Sequence, residues 1–127
     1  MRKKVLLIDD ISEFLTMVKL VFAGSYDVFT ALDGEEAMDM IRNGLKPDVI
    51  VTDLVMPRMD GYQLISKIQL EKDFRKIPII VLSNVDKSEQ EARLKRKGVR
   101  NYLNKPFTVK ELKEGLGQSL SKALTYN

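Results

Sequence analysis

The feature that most restricts the fold is a type of run that recurs: VLLI at Val5–Ile8, VIVT at Val49–Thr52 and IIVL at Ile79–Leu82. None of these runs alternates between apolar and polar residues. A strand with one wet face alternates, whereas a strand covered on both faces reads as a continuous apolar stretch. Two weaker runs, Tyr26–Thr30 and Arg100–Leu103, have the same length and sit where further strands would be needed.

The segments between these runs carry helical spacing. Ile11, Phe14, Leu15, Val18 and Phe22 mark the first, Ala37, Met38 and Ile41 the second, and Leu64, Ile65 and Ile68 the third. Leu112, Leu116, Leu120 and Ala123 mark the last. Asp33 with Glu36, Asp86 with Glu89 and Thr108 with Glu111 have the spacing of capping boxes, and Asn43-Gly44 before Pro47 reads as a helix stop. Gly115 and Gly117 weaken the last helix, each by about 1 kcal/mol against alanine. Strand followed by helix, five times over, predicts an α/β domain with a parallel sheet, helices on both faces and right-handed crossovers. The 127 residues suit one domain, 1–127, with no linker, low-complexity tract or segment left over for an output module.

Composition narrows the chemistry. Cysteine and histidine are both absent. That removes disulfides, thiolate and imidazole metal sites, a Cys nucleophile, a Ser-His-Asp triad and a phosphohistidine on this chain. A net charge of +3 is too small to argue for nucleic acid. In MRKKVLLIDD only four apolar residues precede two aspartates. A signal peptide needs an apolar stretch of about 7–15 and a spanning helix about 20, so the expectation is a cytoplasmic protein without a membrane segment.

In open α/β sheets, ligands bind beyond the carboxyl ends of the strands. Here those ends carry Asp9-Asp10, Asp53, Ser83 and Asn104-Lys105-Pro106. Taken singly, each has an ordinary explanation as a cap, a turn residue or a solvated lysine. Together they put acids, a hydroxyl and an amine on one rim. Two carboxylates about 4 Å apart repel by roughly 4 kcal/mol at an effective dielectric near 20, so crowded acids call for a cation. Oxygen-only ligands from Asp10 and Asp53, completed by a backbone carbonyl and waters, suit Mg²⁺. With Lys105 and the Ser83 hydroxyl added, such a site is built to receive a phosphoryl group.

On these residues the chain resembles the receiver domain of two-component response regulators, of the chemotaxis-type single-domain kind. The matching elements are the acidic pair in VLLIDD, the Asp in VTDLVMPRMDGY, the Ser in VLSN, and the aromatic and Lys-Pro in NYLNKPF; they span the chain. The resemblance implies a flavodoxin-like, doubly wound (βα)5 fold with strand order 2-1-3-4-5. It implies that Asp53 is the nucleophile that forms an acyl phosphate. Asp10 would hold Mg²⁺ directly, Asp9 mainly through water, and Val55 through its backbone carbonyl. Lys105 would contact the phosphate, and would pair with Asp53 when the site is empty. The Lys105–Pro106 peptide would be cis.

In the same family, Ser83 would move onto the phosphoryl group and Tyr102 would follow as an aromatic switch. Read without the resemblance, Tyr102 could equally be a sheet-edge aromatic with its hydroxyl in water. A sensor histidine kinase or a histidine phosphotransfer protein would supply the phosphoryl group. A downstream protein would bind the face of the fourth helix, fifth strand and fifth helix. The basic run Arg93–Lys97 (RLKRK) reads either as a solvated helix face or as a docking surface for an acidic partner, and direct DNA binding is not expected.

Three positions depart from the common pattern. Asn84 is larger than the usual residue after the serine, which would narrow access to Asp53. Val55 and Val85 are apolar where relatives often place polar side chains, which predicts a long-lived acyl phosphate. Two competing readings remain, both with an argument against them. A phosphatase with an aspartyl nucleophile usually has a second acid two residues on, where this chain has Val55. A receiver-like scaffold that is never phosphorylated would typically lack the acceptor or the lysine, and both are present. The expectation is therefore a signalling domain rather than an enzyme that turns over outside substrates.

Overall fold

The alternation of apolar runs and helical spacing resolves into five parallel strands, each followed by a helix. The structure is a computed structural model; it describes residues 2–83, 87–99 and 101–125, with the backbone alone for 87–89 and 122–125. The strands are β1 (Lys4–Ile8), β2 (Asp27–Ala31), β3 (Val49–Asp53), β4 (Ile79–Ser83) and β5 (Asn101–Asn104). The helices are α1 (Ser12–Phe22), α2 (Gly34–Arg42), α3 (Gly61–Leu70), α4 (Lys87–Arg96) and α5 (Val109–Thr125). The sheet order is β2-β1-β3-β4-β5, the flavodoxin-like order expected. Ile8 is in register with Ala31 and Thr52, Asp53 with Leu82, and Ser83 with Asn104. All five carboxyl ends therefore lie along one edge.

Because successive side chains of a strand point to opposite faces, each apolar run feeds two cores. Leu6, Ile8, Ile50 and Val81 pack with Ala37, Met38 and Ile41 of α2, with Leu64, Ile65 and Ile68 of α3, and with Leu94 of α4. Val5, Leu7, Val49, Val51, Ile80 and Leu82 pack with Leu15, Val18 and Phe22 of α1 and with Leu112, Leu116 and Leu120 of α5. Helices α1 and α5 thus cover one face, and α2, α3 and α4 cover the other. This double cover is why the runs do not alternate.

Local signals place the ends. Asp33 caps α2 by accepting from the Glu36 N–H at 2.9 Å. Thr108 and Glu111 bond reciprocally at 3.0 and 3.1 Å ahead of α5, as the spacing predicts. The corresponding expectation at Asp86 and Glu89 lies outside the described side chains. A further box, Asp60 with Gln63 at 2.8 and 2.9 Å, starts α3. After α2, Gly44 adopts φ +111°, and its N–H donates to the Ile41 carbonyl at 3.1 Å, ending the helix as expected.

Each strand differs from its expected run by one residue at one end or both. β2 starts at Asp27 rather than Tyr26, because Tyr26 closes α1: its N–H donates to the Phe22 carbonyl at 2.9 Å, and its ring lies 6.1 Å from that of Phe22. β5 is described from Asn101, and Arg100 lies outside the described residues. β3 and β4 each extend one residue beyond the apolar run, so Asp53 and Ser83 are the last residues of their strands. No helix among the described residues is long and apolar enough to cross a membrane.

Candidate functional site

The strand edge places Asp9, Asp53 and Lys105 in direct contact. Asp9 continues β1 by one residue through its N–H to the Ala31 carbonyl (3.1 Å), and it is fully buried. Its Oδ1 accepts from the Ile11 N–H at 2.9 Å. Its Oδ2 lies 3.3 Å from Lys105 Nζ. Asp53, nearly buried at the tip of β3, accepts from the same ammonium through Oδ2 at 3.0 Å and from the Val55 N–H through Oδ1 at 3.3 Å.

Lys105 is delivered there by its backbone: its N–H donates to the Ser83 carbonyl at 2.7 Å, and the Lys105–Pro106 peptide is cis. Its ammonium also lies 5.8 Å from the centre of the Phe14 ring, and Phe14 meets Phe107 edge-on at 5.9 Å. Aromatic side chains of α1 and of the segment after β5 therefore wall the cation on its outer side.

Asp10 is exposed, yet a carboxylate oxygen from each of Asp9, Asp10 and Asp53 lies within 4.8 Å of the others. At that spacing each pair repels by about 3–4 kcal/mol at an effective dielectric of 20. Among the described side chains one ammonium, that of Lys105, contacts two of these three carboxylates, so with all three ionised the described cluster carries two negative charges in excess. Burial raises the Asp9 carboxyl above its ordinary pKa, outweighing the Ile11 N–H and Lys105, which pull it down. Burial also opposes the charge on Lys105, but its bond to Asp53 and the charges of Asp53 and Asp9 prevail and raise its pKa. Only oxygen donors are present, which suits a hard divalent cation.

Ser83 is buried at the end of β4, and its Oγ–H donates to Oε1 of Gln90 on α4 at 2.9 Å. Tyr102 is paired in register with Val81, two residues before Ser83, and packs against the core on the α4 face. Its hydroxyl oxygen is buried, which removes the reading of a sheet-edge aromatic with its hydroxyl in water. Val55 is 65% exposed beside Asp53. Asn84 and Val85 lie outside the described residues.

The sequence reading missed the arrangement around Arg58. Arg58 follows β3 with φ +66°, a left-handed conformation uncommon for a residue with a side chain, and its guanidinium bonds to the Asp33 carboxylate. The Glu36 N–H and then Arg58 hold the Asp33 carboxyl below its ordinary pKa.

The basic run Arg93–Lys97, at the end of α4 and one residue beyond it, is partly tied down. Arg93 stacks over Tyr62 of α3 at 3.7 Å, Lys95 lies 3.9 Å from Glu91, and Lys97 Nζ donates to Ser66 Oγ at 2.7 Å. Leu94, in the middle of the run, is buried.

Comparison with known proteins agrees with this geometry. Residues 5–116 match the family model described as the response regulator receiver domain. A chemotaxis protein CheY homolog of Campylobacter jejuni is 36% identical over 115 residues, 89% of this chain and 88% of that protein. The solved structure of chemotaxis response regulator CheY4 of Vibrio cholerae superposes with a TM-score of 0.85 at 30% identity, covering 94% of this chain and all of that one. Hybrid signal transduction histidine kinase D of Dictyostelium discoideum is 35% identical over 108 residues, 85% of this chain. The chain spans only 7% of that kinase's length.

Proposed function

The chain belongs to the response regulator receiver domain family, and from that premise we propose that Asp53 takes a phosphoryl group from a phosphohistidine on a partner protein. The observation that carries this reading is the contact of Asp53 with Lys105 at 3.0 Å, beside two further carboxylates. A carboxylate oxygen of Asp53 attacks phosphorus, the bond from phosphorus to the histidine nitrogen breaks, and the electron pair of that bond stays on the imidazole. Lys105 holds Asp53 in place before transfer. Afterwards it follows the charge onto the phosphoryl oxygens, since a flexible ammonium with three donors can change partners without moving its backbone.

Asp9, Asp10, Asp53 and the Val55 carbonyl would hold Mg²⁺, which when bound supplies positive charge against the phosphoryl oxygens. The excess of two negative charges in the cluster fits a divalent ion, and a monovalent one would leave it anionic. Ser83 donates its hydroxyl proton to a phosphoryl oxygen, a bond to a charged acceptor worth about 1.5–3 kcal/mol. That is enough to shift an equilibrium balanced within a few kcal/mol. Tyr102, on the same face of the sheet as Ser83, would respond. The face of α4, β5 and α5 would carry the change to a downstream protein, and a sensor histidine kinase or histidine phosphotransfer protein would act as donor. Residues 1–127 act in this reading as one cytoplasmic signalling unit with no direct contact to nucleic acid.

The test is incubation with acetyl phosphate and Mg²⁺ followed by intact-mass measurement. The wild type should gain about +80 Da, one phosphoryl group, and Asp53→Asn should gain nothing. Absence of the gain, or an equal gain in Asp53→Asn, would refute the assignment. Continuous release of phosphate would indicate a phosphatase instead.

A further inference from the structure

We infer that Gln90 is a positioning residue that holds Ser83 away from the phosphoryl site, so that phosphorylation has to break a bond between β4 and α4. This rests on the receiver reading and adds to it the element on which Ser83 is held. The observation is the bond from Ser83 Oγ to Gln90 Oε1 at 2.9 Å. A serine hydroxyl has a single proton to donate. It can point at Gln90 or at a phosphoryl oxygen on Asp53, and these two states exclude each other.

The position of Gln90 gives the competition a mechanical consequence. Among the described side chains of α4, Leu94 alone is fully buried, and Arg93 stacks on Tyr62 one turn from Gln90. By contrast, α1 buries Leu15, Val18 and Phe22, and α3 buries Leu64, Ile65 and Ile68. Among its described side chains α4 is therefore held by few groups, and Gln90 ties it to the sheet through the residue that phosphorylation recruits. When Ser83 turns to the phosphoryl group, the Gln90 amide loses its donor and α4 loses a tether. Charge decides the direction of the exchange: a phosphoryl oxygen is an anionic acceptor and an amide carbonyl a neutral one, and charge-assisted bonds are roughly twice as strong.

Five proteins test this: the wild type, Gln90→Ala, Gln90→Glu, Ser83→Ala, and Gln90→Ala combined with Ser83→Ala. The first readout is the rate at which acetyl phosphate with Mg²⁺ adds mass. Gln90→Ala should speed it by about two- to tenfold, the range spanned by one neutral hydrogen bond. Gln90→Glu presents a charged acceptor and should slow it below wild type. In the Ser83→Ala background, Gln90→Ala should change nothing. A gain that persists without Ser83, or a Gln90→Glu protein that behaves like Gln90→Ala, overturns the inference.

The second readout needs no phosphorylation: amide hydrogen exchange across residues 90–96 of the untreated proteins. Gln90→Ala and Ser83→Ala should each speed exchange there, and the double variant should add nothing further. Equal exchange in all of them overturns the tether. A wild type that gains no mass overturns the receiver reading itself, whichever way the exchange result falls.

Discussion

The Asp-Gly pair at the start of α3 is where a single methyl group should be felt most. Gly61 donates its N–H to the Leu54 carbonyl at 2.8 Å, which brings the first turn of α3 hard against the tip of β3. A Cβ on residue 61 would lie 2.5 Å from the Asp53 carbonyl oxygen, 2.8 Å from Leu54 Cα and 3.0 Å from Leu54 Cδ2. The first two are backbone atoms and cannot rotate away, so the helix or the strand end must move. Forcing extra volume into a packed site costs about 1–3 kcal/mol, and contact with backbone puts this case at the upper end. Alanine's helix preference returns less than about 1 kcal/mol, leaving a net loss near 2 kcal/mol. For a domain of this size that is about 8 °C in Tm. Gly117→Ala is the control, because residue 117 sits exposed inside α5 with nothing within 4 Å of a new Cβ. There alanine should stabilise by about 1 kcal/mol. Thermal unfolding followed by circular dichroism reads both, and the two substitutions should move Tm in opposite directions. Gly61→Ala should also slow phosphorylation at a temperature where it is fully folded, because the displaced carbonyl belongs to Asp53. A Gly61→Ala protein that melts with the wild type would refute the argument.

Replacing Asp33 by alanine removes the cap of α2 and the partner of Arg58, and should cost about 1–2 kcal/mol at neutral pH. The Asp33 carboxyl has its pKa lowered from 3.8, so its stabilisation is present above about pH 4 and lost as pH falls through the folded value. Urea midpoints should show the gap to wild type narrowing in acid, and a constant gap would contradict the account. Asp9→Asn should behave oppositely. Burial raises the Asp9 pKa, so the folded state is favoured by the neutral form, and stability drops as pH rises through the folded value above 3.8. The asparagine variant should be at least as stable as wild type at pH 7 while its magnesium-dependent phosphorylation falls; a variant less stable at pH 7 would show that the charge stabilises the fold. Val55→Asn places a polar group beside Asp53 and should shorten the lifetime of the acyl phosphate once acetyl phosphate is removed. An unchanged decay would dissociate Val55 from that lifetime.

How much of this was legible in the sequence depended on the distance over which each feature is determined. The five-stranded sheet was legible because covering both faces leaves a simple trace, an apolar run without alternation. The rim residues were legible because parallel strands joined by right-handed crossovers must end on the same edge, so Asp9, Asp53, Ser83 and Lys105 could be collected from their strand ends alone. Tyr26 falls one residue outside β2 because its attachment to Phe22 competes with strand propensity, and the outcome is set by packing. The Asp60–Gln63 box has a local trace in the sequence, D-x-x-Q. Gln90 and Arg58 were not readable. Their partners lie on other elements, and contact depends on loop paths that no periodicity records. Nor does the sequence show that of the adjacent acids Asp9 is fully buried and Asp10 exposed.

Two acid–base contacts at this strand edge differ in how well their charges are matched. Asp33 meets one guanidinium and one helix N-terminal N–H, so its charge is matched and its pKa falls. At the neighbouring cluster of three carboxylates, the described side chains supply one ammonium, which contacts Asp9 and Asp53, and the fully buried Asp9 has its pKa raised. A buried charge without a full partner costs stability, and well-packed apolar residues would serve the fold as well or better. Placing Asp9, Asp53 and Lys105 together therefore costs the fold stability, which in the proposed function a divalent cation and then a phosphoryl group would offset. The imbalance of charge, more than any one distance, argues that this edge is arranged for a ligand that comes and goes.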